Sequence, residues 1–430
     1  MPVGQFVRFS PGIRVALLWG PFAKDQRLKI VIFCHPAFMR SQSMPRFARM
    51  LKSAYEARGY SVQVWAPHAR IFNLVPTGRL SKWAGYIDEH VLFPIQARMA
   101  LKHQHPDTLY VFCDQALGSW VPMVKHLPHV IHVHDLLALR SALGEIPENP
   151  TSITGKIYQR FIRRGFRQGR HFISVSKKTR EDLHRVGHLS AVTSDVVYNG
   201  MNYPFSPLAR PETMQILREA NLPAPDESYL LHVGGGQWYK NLVGVIALYA
   251  QYAKRQRVPL PLWCIGPQPS CAVRSALGKV PPHGRVSFFQ SVESRTLQAL
   301  YSGARAFLFP SLAEGFGWPL VEAQACGCPV LTTDEAPMNE IAGRGAFYVP
   351  RLQIDDDIDA WAAKGAAVLD ELLLEPPEQS NLRRQRGIEW AQRFNTDKTI
   401  EDYIDIYSRV LSNGKAEKGV APSLENENNI

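Results

Sequence analysis

The stretch ARAFLFPSLAEGFGWPLVEAQACGCPVLTT, residues 304–333, decides how this chain is built. An apolar run (304–310) leads into a loop with two glycines, a short helical segment follows (320–327), and a second apolar run comes next (329–333). Continuous apolar runs that alternate with helices are typical of parallel strands buried on both faces. The stretch therefore predicts one strand–helix–strand unit of a parallel α/β sheet.

Similar apolar runs recur along the whole chain. They are, in the first half, residues 28–34, 61–67, 108–114, 129–135, 171–176 and 195–200, and in the second half, residues 229–235, 261–267, 285–290, 304–310, 328–333 and 345–350. Two doubly wound α/β domains fit this tally better than one oversized sheet. We expect domains at 1–205 and 206–385, joined through the proline-rich segment 202–214, then helices at 386–412 and a disordered tail at 413–430.

Composition limits the class of protein. Hydrophobic residues at 45% and charged residues at 20% describe an ordinary soluble globular chain. The six cysteines form no C-x-x-C pair and mostly sit in apolar runs, as buried thiols do in a reducing compartment. The N-terminal apolar run is short and broken by Gly and Pro, so we expect no cleaved signal peptide and a cytoplasmic location.

The net charge of +11 is unevenly spread. Residues 1–210 carry 28 Lys+Arg against 12 Asp+Glu, whereas residues 211–430 carry 21 against 26. Much of the excess lies in KIYQRFIRRGFRQGR (156–170), where aromatic and aliphatic residues recur at helical spacing among five arginines. Its apolar members are Tyr158, Phe161, Ile162 and Phe166. Two interpretations remain open: a basic amphipathic helix resting on an anionic membrane, or a solvated helix that packs one apolar face. No nucleic-acid-binding pattern accompanies the charge.

A glycine-rich segment, LHVGGGQWYKN (231–241), follows a predicted strand. Its candidate ligand-binding residues are Gly234, Gly235, Gly236, Lys240 and Asn241. Glycines let the backbone approach a phosphate, and the lysine can neutralise it. The segment matches neither the P-loop nor the dinucleotide fingerprint. The alternative is a tight turn followed by a surface lysine.

Two glutamates lie at the carboxyl edge of the second sheet, where ligands bind in doubly wound folds. Glu314 is on the loop after the strand 304–310, and Glu322 is on the first turns of the following helix. Carboxylates accept hydrogen bonds from sugar or ribose hydroxyls. The loop amides of Gly315, Phe316 and Gly317 would point into the same cleft. Together with the glycine segment, these residues predict a nucleotide-sugar pocket.

The run EGFGWPLVEAQACGCPV resembles the E-x7-E segment of the retaining glycosyltransferases of family 4, also called group 1, which have the GT-B architecture. Other segments follow the order of the family: VHDL (133–136), SVSKKTREDL (174–183), VVYNGMN (196–202), VGGGQWYKN (233–241) and LFPSLAEGFGWP (308–319). The resemblance covers residues 28–410. It implies an α/β GT-B fold, with two Rossmann-like doubly wound domains facing a central cleft, the first binding the acceptor and the second the nucleotide sugar. The helices at 386–412 would cross back to the first domain.

The resemblance also implies roles for single residues. Glu314 would contact hydroxyls of the transferred sugar, Glu322 would hold the ribose, and Lys240 would bind the diphosphate. His134 matches the histidine of the first domain that lies near the reacting sugar, although a histidine capping a strand is the alternative. Two departures stand out: Gly235 replaces a common arginine, and HPAFMRSQSMPR (35–46) replaces a Gly-Gly loop, with Arg40, Ser41 and Ser43 as candidate contacts.

The implied reaction is hexosyl transfer from a nucleotide-diphosphate sugar to a glycan or lipid-linked acceptor. The anomeric configuration would be retained, with no metal and no cofactor besides the donor. We expect a role in cell-surface polysaccharide biosynthesis, with peripheral placement at the inner face of a membrane.

Two other classes of function stay open on the sequence. One is a metal-dependent hydrolase built on His132, His134 and Asp135, because alternate residues of a strand share one face. The acidic run DDDID (355–359) is better explained as a solvated loop. The other is a non-catalytic membrane or nucleic-acid adaptor with a GT-B fold, which the joint presence of Glu314, Glu322 and Lys240 disfavours.

Overall fold

A computed structural model of the chain describes residues 28–38, 43–75, 78, 80–223, 228–290 and 292–419. These residues form two parallel sheets of six strands each, one in each half of the chain. The first contains β1 (Lys29–Phe33), β2 (Ser61–Trp65), β3 (Thr108–Phe112), β4 (His129–Val133), β5 (His171–Ser174) and β6 (Thr193–Val196). The second contains β7 (Tyr229–Val233), β8 (Leu262–Ile265), β9 (Val286–Phe289), β10 (Ala304–Phe309), β11 (Val330–Thr333) and β12 (Phe347–Val349). Each predicted apolar run overlaps one strand, which confirms the two doubly wound domains.

Helices cover the faces of both sheets. Those of the first half are α1 (Ser43–Ala57), α2 (Ser81–Ile87), α3 (Phe93–Leu101), α4 (Leu137–Ala142), α5 (Ile153–Phe166) and α6 (Lys177–Gly187). Those of the second half are α7 (Arg210–Glu219), α8 (Leu242–Arg255), α9 (Cys271–Leu277), α10 (Ser294–Gly303), α11 (Trp318–Ala325), α12 (Met338–Ala342), α13 (Ile358–Leu374), α14 (Pro377–Ala391) and α15 (Thr396–Gly419). A π-helix, Asp88–Leu92, joins α2 to α3.

The order of strands places one crossover point in each sheet. The first sheet has the order β2-β1-β3-β4-β5-β6, and the second has the order β12-β11-β10-β7-β8-β9. The direction of winding therefore reverses between β1 and β3 in the first sheet and between β7 and β10 in the second. In doubly wound sheets, ligands bind outside the carboxyl ends of the strands at such switch points.

The last helix belongs to the core of the first domain. Tyr403 and Tyr407 of α15 are fully buried against the first sheet. The Tyr407 hydroxyl lies 2.7 Å from His132 Nε2 and accepts a hydrogen bond from the Tyr55 hydroxyl at 3.1 Å. Because α15 continues to Gly419, it includes the first residues of the predicted tail. Residues 420–430 of that tail lie outside the described residues, as do Arg40 and Ser41.

Polar contacts join the two domains beside the cleft. Glu340 of α12 accepts hydrogen bonds from the amides of Lys177 and Lys178, at 2.7 and 3.3 Å. A carboxylate is stabilised there because the N-terminus of α6 carries partial positive charge. Arg351, after β12, donates to Glu148 of the first domain at 2.6 Å, and only 14% and 13% of the two side chains are exposed. These contacts hold the carboxyl edges of the two sheets face to face.

Candidate functional site

Two exit loops meet at the switch point of the second sheet. The loop after β7 carries the glycine segment, and the loop after β10 carries Glu314. Leu312 donates its amide to the Tyr239 carbonyl at 2.7 Å. Asn241 donates its side-chain amide to the Pro310 carbonyl at 2.9 Å. The two predicted halves of the pocket are thus hydrogen-bonded into one surface.

Lys240 and Glu314 form a partly buried ion pair. Lys240 Nζ lies 2.7 Å from Glu314 Oε1, and the side chains are 14% and 8% exposed. The ammonium also stands 4.7 Å above the centre of the Phe309 ring. Low exposure strengthens the attraction between the charges. In the free protein, the cation expected to bind a diphosphate is therefore neutralised by the carboxylate expected to bind the sugar.

Glu322 lies on α11, beside the same loops. The Tyr301 hydroxyl donates to Glu322 Oε2 at 3.1 Å. Burial raises the pKa of Glu322 to about 7, although the hydrogen bond from Tyr301 and the charges of Lys240 and Arg46 oppose the rise. Ionising this buried carboxyl costs free energy. A ligand whose hydroxyls, such as those of ribose, donate hydrogen bonds to the ionised carboxylate would lower that cost.

In the glycine segment, some amide groups bond to the protein and others have no partner among the described residues. Gly234 uses its amide in the sheet, where it donates to the Ile265 carbonyl at 3.0 Å. Gly235 and Gly236 are exposed, and neither amide has a partner among the described residues. Gly236 has φ of +75°, and an added Cβ would lie 2.7 Å from Pro267. Asn241 caps α8 by accepting from the Gly244 amide at 3.1 Å, so both ends of its side-chain amide are bonded to protein.

The segment 315–317 lies against the first domain. A Cβ added to Gly315 would lie 1.8 Å from the His134 carbonyl oxygen, so only glycine fits. The Gly315 carbonyl accepts from Ser176 Oγ at 2.8 Å and from Thr179 Oγ1 at 3.1 Å. Gly315, Phe316 and Gly317 are buried, and their amides have no partner among the described residues.

His134 is buried beneath this contact. Its Nε2 lies 3.0 Å from the Cys113 carbonyl, so this nitrogen is the donor. Burial lowers the pKa of His134, although the charge of Asp114 opposes this effect. The ring is therefore neutral at neutral pH, and its Nδ1 can accept a hydrogen bond. The neighbouring Asp135 accepts from the Leu137 amide at 3.0 Å. Burial and the charges of Asp114 and Glu314 raise the pKa of Asp135 to about 6.

The residues of the metal-hydrolase alternative do not converge. His132 is fully buried and bonded to the Tyr407 hydroxyl. Within the part of the chain that the structure describes, no group of three His, Cys, Asp or Glu side chains could hold a metal ion. In the acidic run 355–359, Asp357 caps α13, and Asp359 pairs with Lys279 at the surface. The hydrolase alternative therefore has no support from the geometry.

The sequence interpretation missed several contacts at this site. Ser176 and Thr179 lie in the segment quoted for the resemblance, but no local pattern shows that they reach Gly315. Tyr301, which bonds Glu322, lies inside an ordinary helical pattern. Trp318, the first residue of α11, donates its indole N–H to the Gly200 carbonyl at 3.0 Å and so joins α11 to the end of the first domain. All these partners are distant in sequence.

Comparison with known proteins agrees with this architecture. The family model described as glycosyl transferases group 1 matches residues 213–386, and the model described as glycosyltransferase family 4 matches residues 44–203. The O-antigen chain mannosyltransferase RfbU of Salmonella typhimurium is 25% identical over 213 residues, 49% of this chain and 55% of that protein. O-antigen chain mannosyltransferase B of Escherichia coli is 23% identical over 302 residues, 68% of this chain and 76% of that protein.

Similarity to solved structures supports the same fold. Sucrose-phosphate synthase from Thermosynechococcus elongatus superposes with a TM-score of 0.67 at 19% identity, covering 90% of this chain and 100% of that one. The two family models divide between the two domains, and the paired sheets match the GT-B architecture. The chain therefore belongs to the group 1 glycosyltransferases, enzymes with the two-domain GT-B fold.

Proposed function

We propose that the chain transfers a hexose from a nucleoside-diphosphate sugar to a glycan or lipid-linked acceptor, with retention of anomeric configuration. The observation that carries the proposal is the convergence of Lys240, Glu314 and Glu322 on the switch point of the second sheet. Two relatives are O-antigen chain mannosyltransferases, which supports a role in cell-surface polysaccharide biosynthesis.

In the proposed complex, the donor rearranges the ion pair. The diphosphate binds Lys240, and its oxygens accept hydrogen bonds from the loop amides of residues 235–236 and 315–317. Glu314, released from Lys240, accepts hydrogen bonds from sugar hydroxyls, while Glu322 accepts those of the ribose. The diphosphate thus replaces Glu314 as the partner of Lys240, and the loop amides gain acceptors that they lack among the described residues.

The main work of catalysis is to stabilise the leaving diphosphate. The sugar–phosphate bond breaks through an oxocarbenium-like state, and charge develops on the departing oxygen, which Lys240 and the loop amides stabilise. That oxygen then accepts the proton of the attacking hydroxyl, so both partners lie on one face of the sugar and configuration is retained. His134 Nδ1 accepts a hydrogen bond from the sugar. The proposal includes no metal and no further cofactor, because Lys240 and the amides can hold the leaving group.

A thermal-shift panel tests the donor site. Uridine, guanosine, adenosine and thymidine diphosphates and their common sugars are added to wild type and to Glu322→Ala. One nucleotide should raise the melting temperature of wild type, since a ligand of the folded state stabilises it, and the effect should be lost in the variant. If no nucleotide stabilises wild type, the transferase proposal is refuted. Proton NMR of the product then reports the anomeric configuration, and turnover after exhaustive chelation reports whether a metal is needed.

The peripheral membrane placement is proposed from an exposed face of the first domain. The helical segment from α2 through α3 exposes a large apolar side chain at every third or fourth position, and α5 adds three more. They are Leu80, Trp83, Ile87, Val91, Ile95, Met99, Ile153, Ile157 and Phe161. Tyr86 and Tyr158 stack at 5.4 Å and hold the two elements side by side. We name the nine exposed residues, from Leu80 to Phe161, the apolar face.

The charges around the apolar face favour an anionic bilayer. Both acidic residues of α2 and the π-helix, Asp88 and Glu89, are buried. The exposed charged residues of α2, α3 and α5 are basic: Lys82, Arg98, Lys156, Arg160 and Arg164. Exposed apolar groups among basic ones suit an interface with anionic lipids. No helix in the described ranges is long and apolar enough to span a membrane.

The two interpretations of the basic segment concern different faces of α5. Ile162 and Phe166 pack in the core of the first domain, as a solvated helix would require. Ile153, Ile157 and Phe161 point outward, as membrane contact would require. The residues proposed to meet lipid are therefore mostly not those singled out from the sequence pattern.

Sedimentation with lipid vesicles tests this placement. Wild type should bind vesicles containing phosphatidylglycerol and should not bind pure phosphatidylcholine. Trp83→Glu with Ile157→Glu should abolish binding, whereas Ile354→Glu, at an exposed isoleucine of the second domain, should not. Equal binding by wild type and the double variant would refute the membrane contact.

A further inference from the structure

The switch point of the first sheet also carries a charged pair. His35 comes just after β1, and Asp114 comes just after β3. His35 Nε2 lies 3.0 Å from Asp114 Oδ2, and the side chains are 17% and 14% exposed. Asp114 Oδ1 accepts from the Ala116 amide at 3.1 Å. The backbone therefore holds one carboxylate oxygen, and the other orients the histidine.

The second ring nitrogen of His35, Nδ1, has no hydrogen-bond partner among the described residues. Burial disfavours the charged ring, but the hydrogen bond and charge of Asp114 outweigh it and raise the pKa of His35. The charges of Glu89, on the π-helix, and of Cys34 act in the same direction. His134, after β4, is kept neutral by burial. The imidazolium form of His35 is thus favoured, and in that form its Nδ1 is a hydrogen-bond donor.

His35 lies at the carboxyl edge of the first sheet, next to residues that meet the second domain. Gln115, next to Asp114, donates to the Asp135 carbonyl and accepts from the His134 amide at 3.3 Å. The His134 carbonyl in turn lies against Gly315 of the second domain. On α1, the charge of Arg46 opposes the rise in the pKa of Glu322.

Among the described residues, the loops of the second domain bring little free positive charge to the donor side. The loop after β7 contributes one cation, Lys240, and Glu314 holds it at 2.7 Å. Position 235 is glycine and adds no charge. A diphosphate brings more than one negative charge, so a further donor with positive charge would stabilise it. His35 follows β1 at the switch point of the first sheet, where ligands bind in doubly wound folds.

We propose that His35, oriented by Asp114, binds a phosphate oxygen of a substrate through its Nδ1. Phosphate reaches this cleft from two sources, the nucleoside-diphosphate donor and a lipid-linked diphosphate acceptor. The inference rests on the proposed function insofar as the cleft receives these ligands. His35 then supplies from the first domain the charge that Gly235 does not supply from the second.

Titration calorimetry measures the contribution of His35. The nucleoside diphosphate selected by thermal shift and its parent nucleoside are titrated into wild type, His35→Gln and His35→Lys. His126→Gln, at an exposed histidine of the same domain, is the matched control. His35→Gln should weaken diphosphate binding about ten- to a hundredfold, as expected for a lost charge-assisted hydrogen bond, and should leave nucleoside binding unchanged. His35→Lys should restore most of the affinity.

The pH dependence separates a charge from a structural role. Diphosphate affinity of wild type should fall as pH rises through the range where His35 loses its proton. His35→Gln and His35→Lys should not show this loss. A variant that is merely misfolded would weaken nucleoside and diphosphate alike and would be recognised by that pattern.

Acceptor kinetics and a nucleotide-free probe complete the test. If diphosphate affinity is unchanged in His35→Gln but KM for a lipid-linked diphosphate acceptor rises, the phosphate belongs to the acceptor. Inorganic pyrophosphate is also titrated while the His35 ring resonances are followed by NMR, which does not depend on any nucleotide being the donor. A raised pKa of His35 with pyrophosphate supports the proposal. Unchanged resonances, together with unchanged diphosphate affinity and unchanged acceptor KM, overturn it.

Discussion

Replacing Glu322 by glutamine should make the protein more stable at alkaline pH while abolishing its use of the donor. The pKa of Glu322 lies at about 7 in the folded protein against an ordinary 4.5, chiefly because of burial. A tenfold difference in proton affinity corresponds to about 1.4 kcal/mol, so ionising this carboxyl in the folded state costs about 3 kcal/mol. The amide of glutamine carries no such cost, and its oxygen can still accept from Tyr301.

The sign of the pH dependence follows from the raised pKa. Below pH 4.5 the carboxyl is protonated in both the folded and unfolded states, and it contributes no difference. Between pH 4.5 and about 7 the unfolded state loses its proton first, so the stability of wild type falls relative to Glu322→Gln. Above pH 7 the difference should level off near 3 kcal/mol, about the full cost of ionisation.

Urea denaturation of both proteins from pH 4 to pH 9 measures this difference. Glu389→Gln, which alters an exposed glutamate of α14, should follow wild type at every pH. The donor should bind wild type more tightly as pH rises through 7, because ribose hydroxyls donate to the ionised carboxylate. A difference between wild type and Glu322→Gln that does not change with pH would refute the reasoning.

Three further outcomes are expected. Gly315→Ala places a methyl group against the His134 carbonyl, so transferase activity should fall at least tenfold in a steady-state assay while the separate domains stay folded by circular dichroism. Ser176→Ala removes one of the hydroxyls that donate to the Gly315 carbonyl and should cost about 1 kcal/mol in urea denaturation; no change would mean that the contact is not maintained in solution. Tyr407→Phe leaves His132 Nε2 without its partner in the core and should cost about 1–3 kcal/mol, whereas a neutral effect would contradict the buried hydrogen bond.

The sequence predicts the fold well because most of its strands are buried on both faces. Strands such as β3 and β4 are fully buried and mostly apolar, and an aspartate follows each within two residues, so their existence and order can be read directly. The helix α5 was ambiguous for a physical reason: its two apolar faces have the same spacing, and only the packing of Ile162 against the core decides which face turns inward.

The candidate site could be predicted only in part. Glu314, Glu322 and Lys240 were found because each follows a strand, and strand ends converge at one edge of a sheet. The ion pair between Lys240 and Glu314 joins residues 74 positions apart, and no local pattern encodes it. The pair of His35 and Asp114 was missed for the same reason, since its two members follow neighbouring strands that are far apart in the chain.

The burial of α15 in the first domain bears on how the protein is made. His132 and Tyr407, which touch in the core, are 275 positions apart. At a synthesis rate of about 5–20 residues per second, roughly 15 to 55 s separate their appearance on the ribosome. Once residue 205 has left the tunnel, the first domain waits for the rest of that interval with the surface that will receive Tyr403 and Tyr407 uncovered. The nascent chain therefore presents an apolar surface to chaperones until the second domain has been translated and the last helix can close over it.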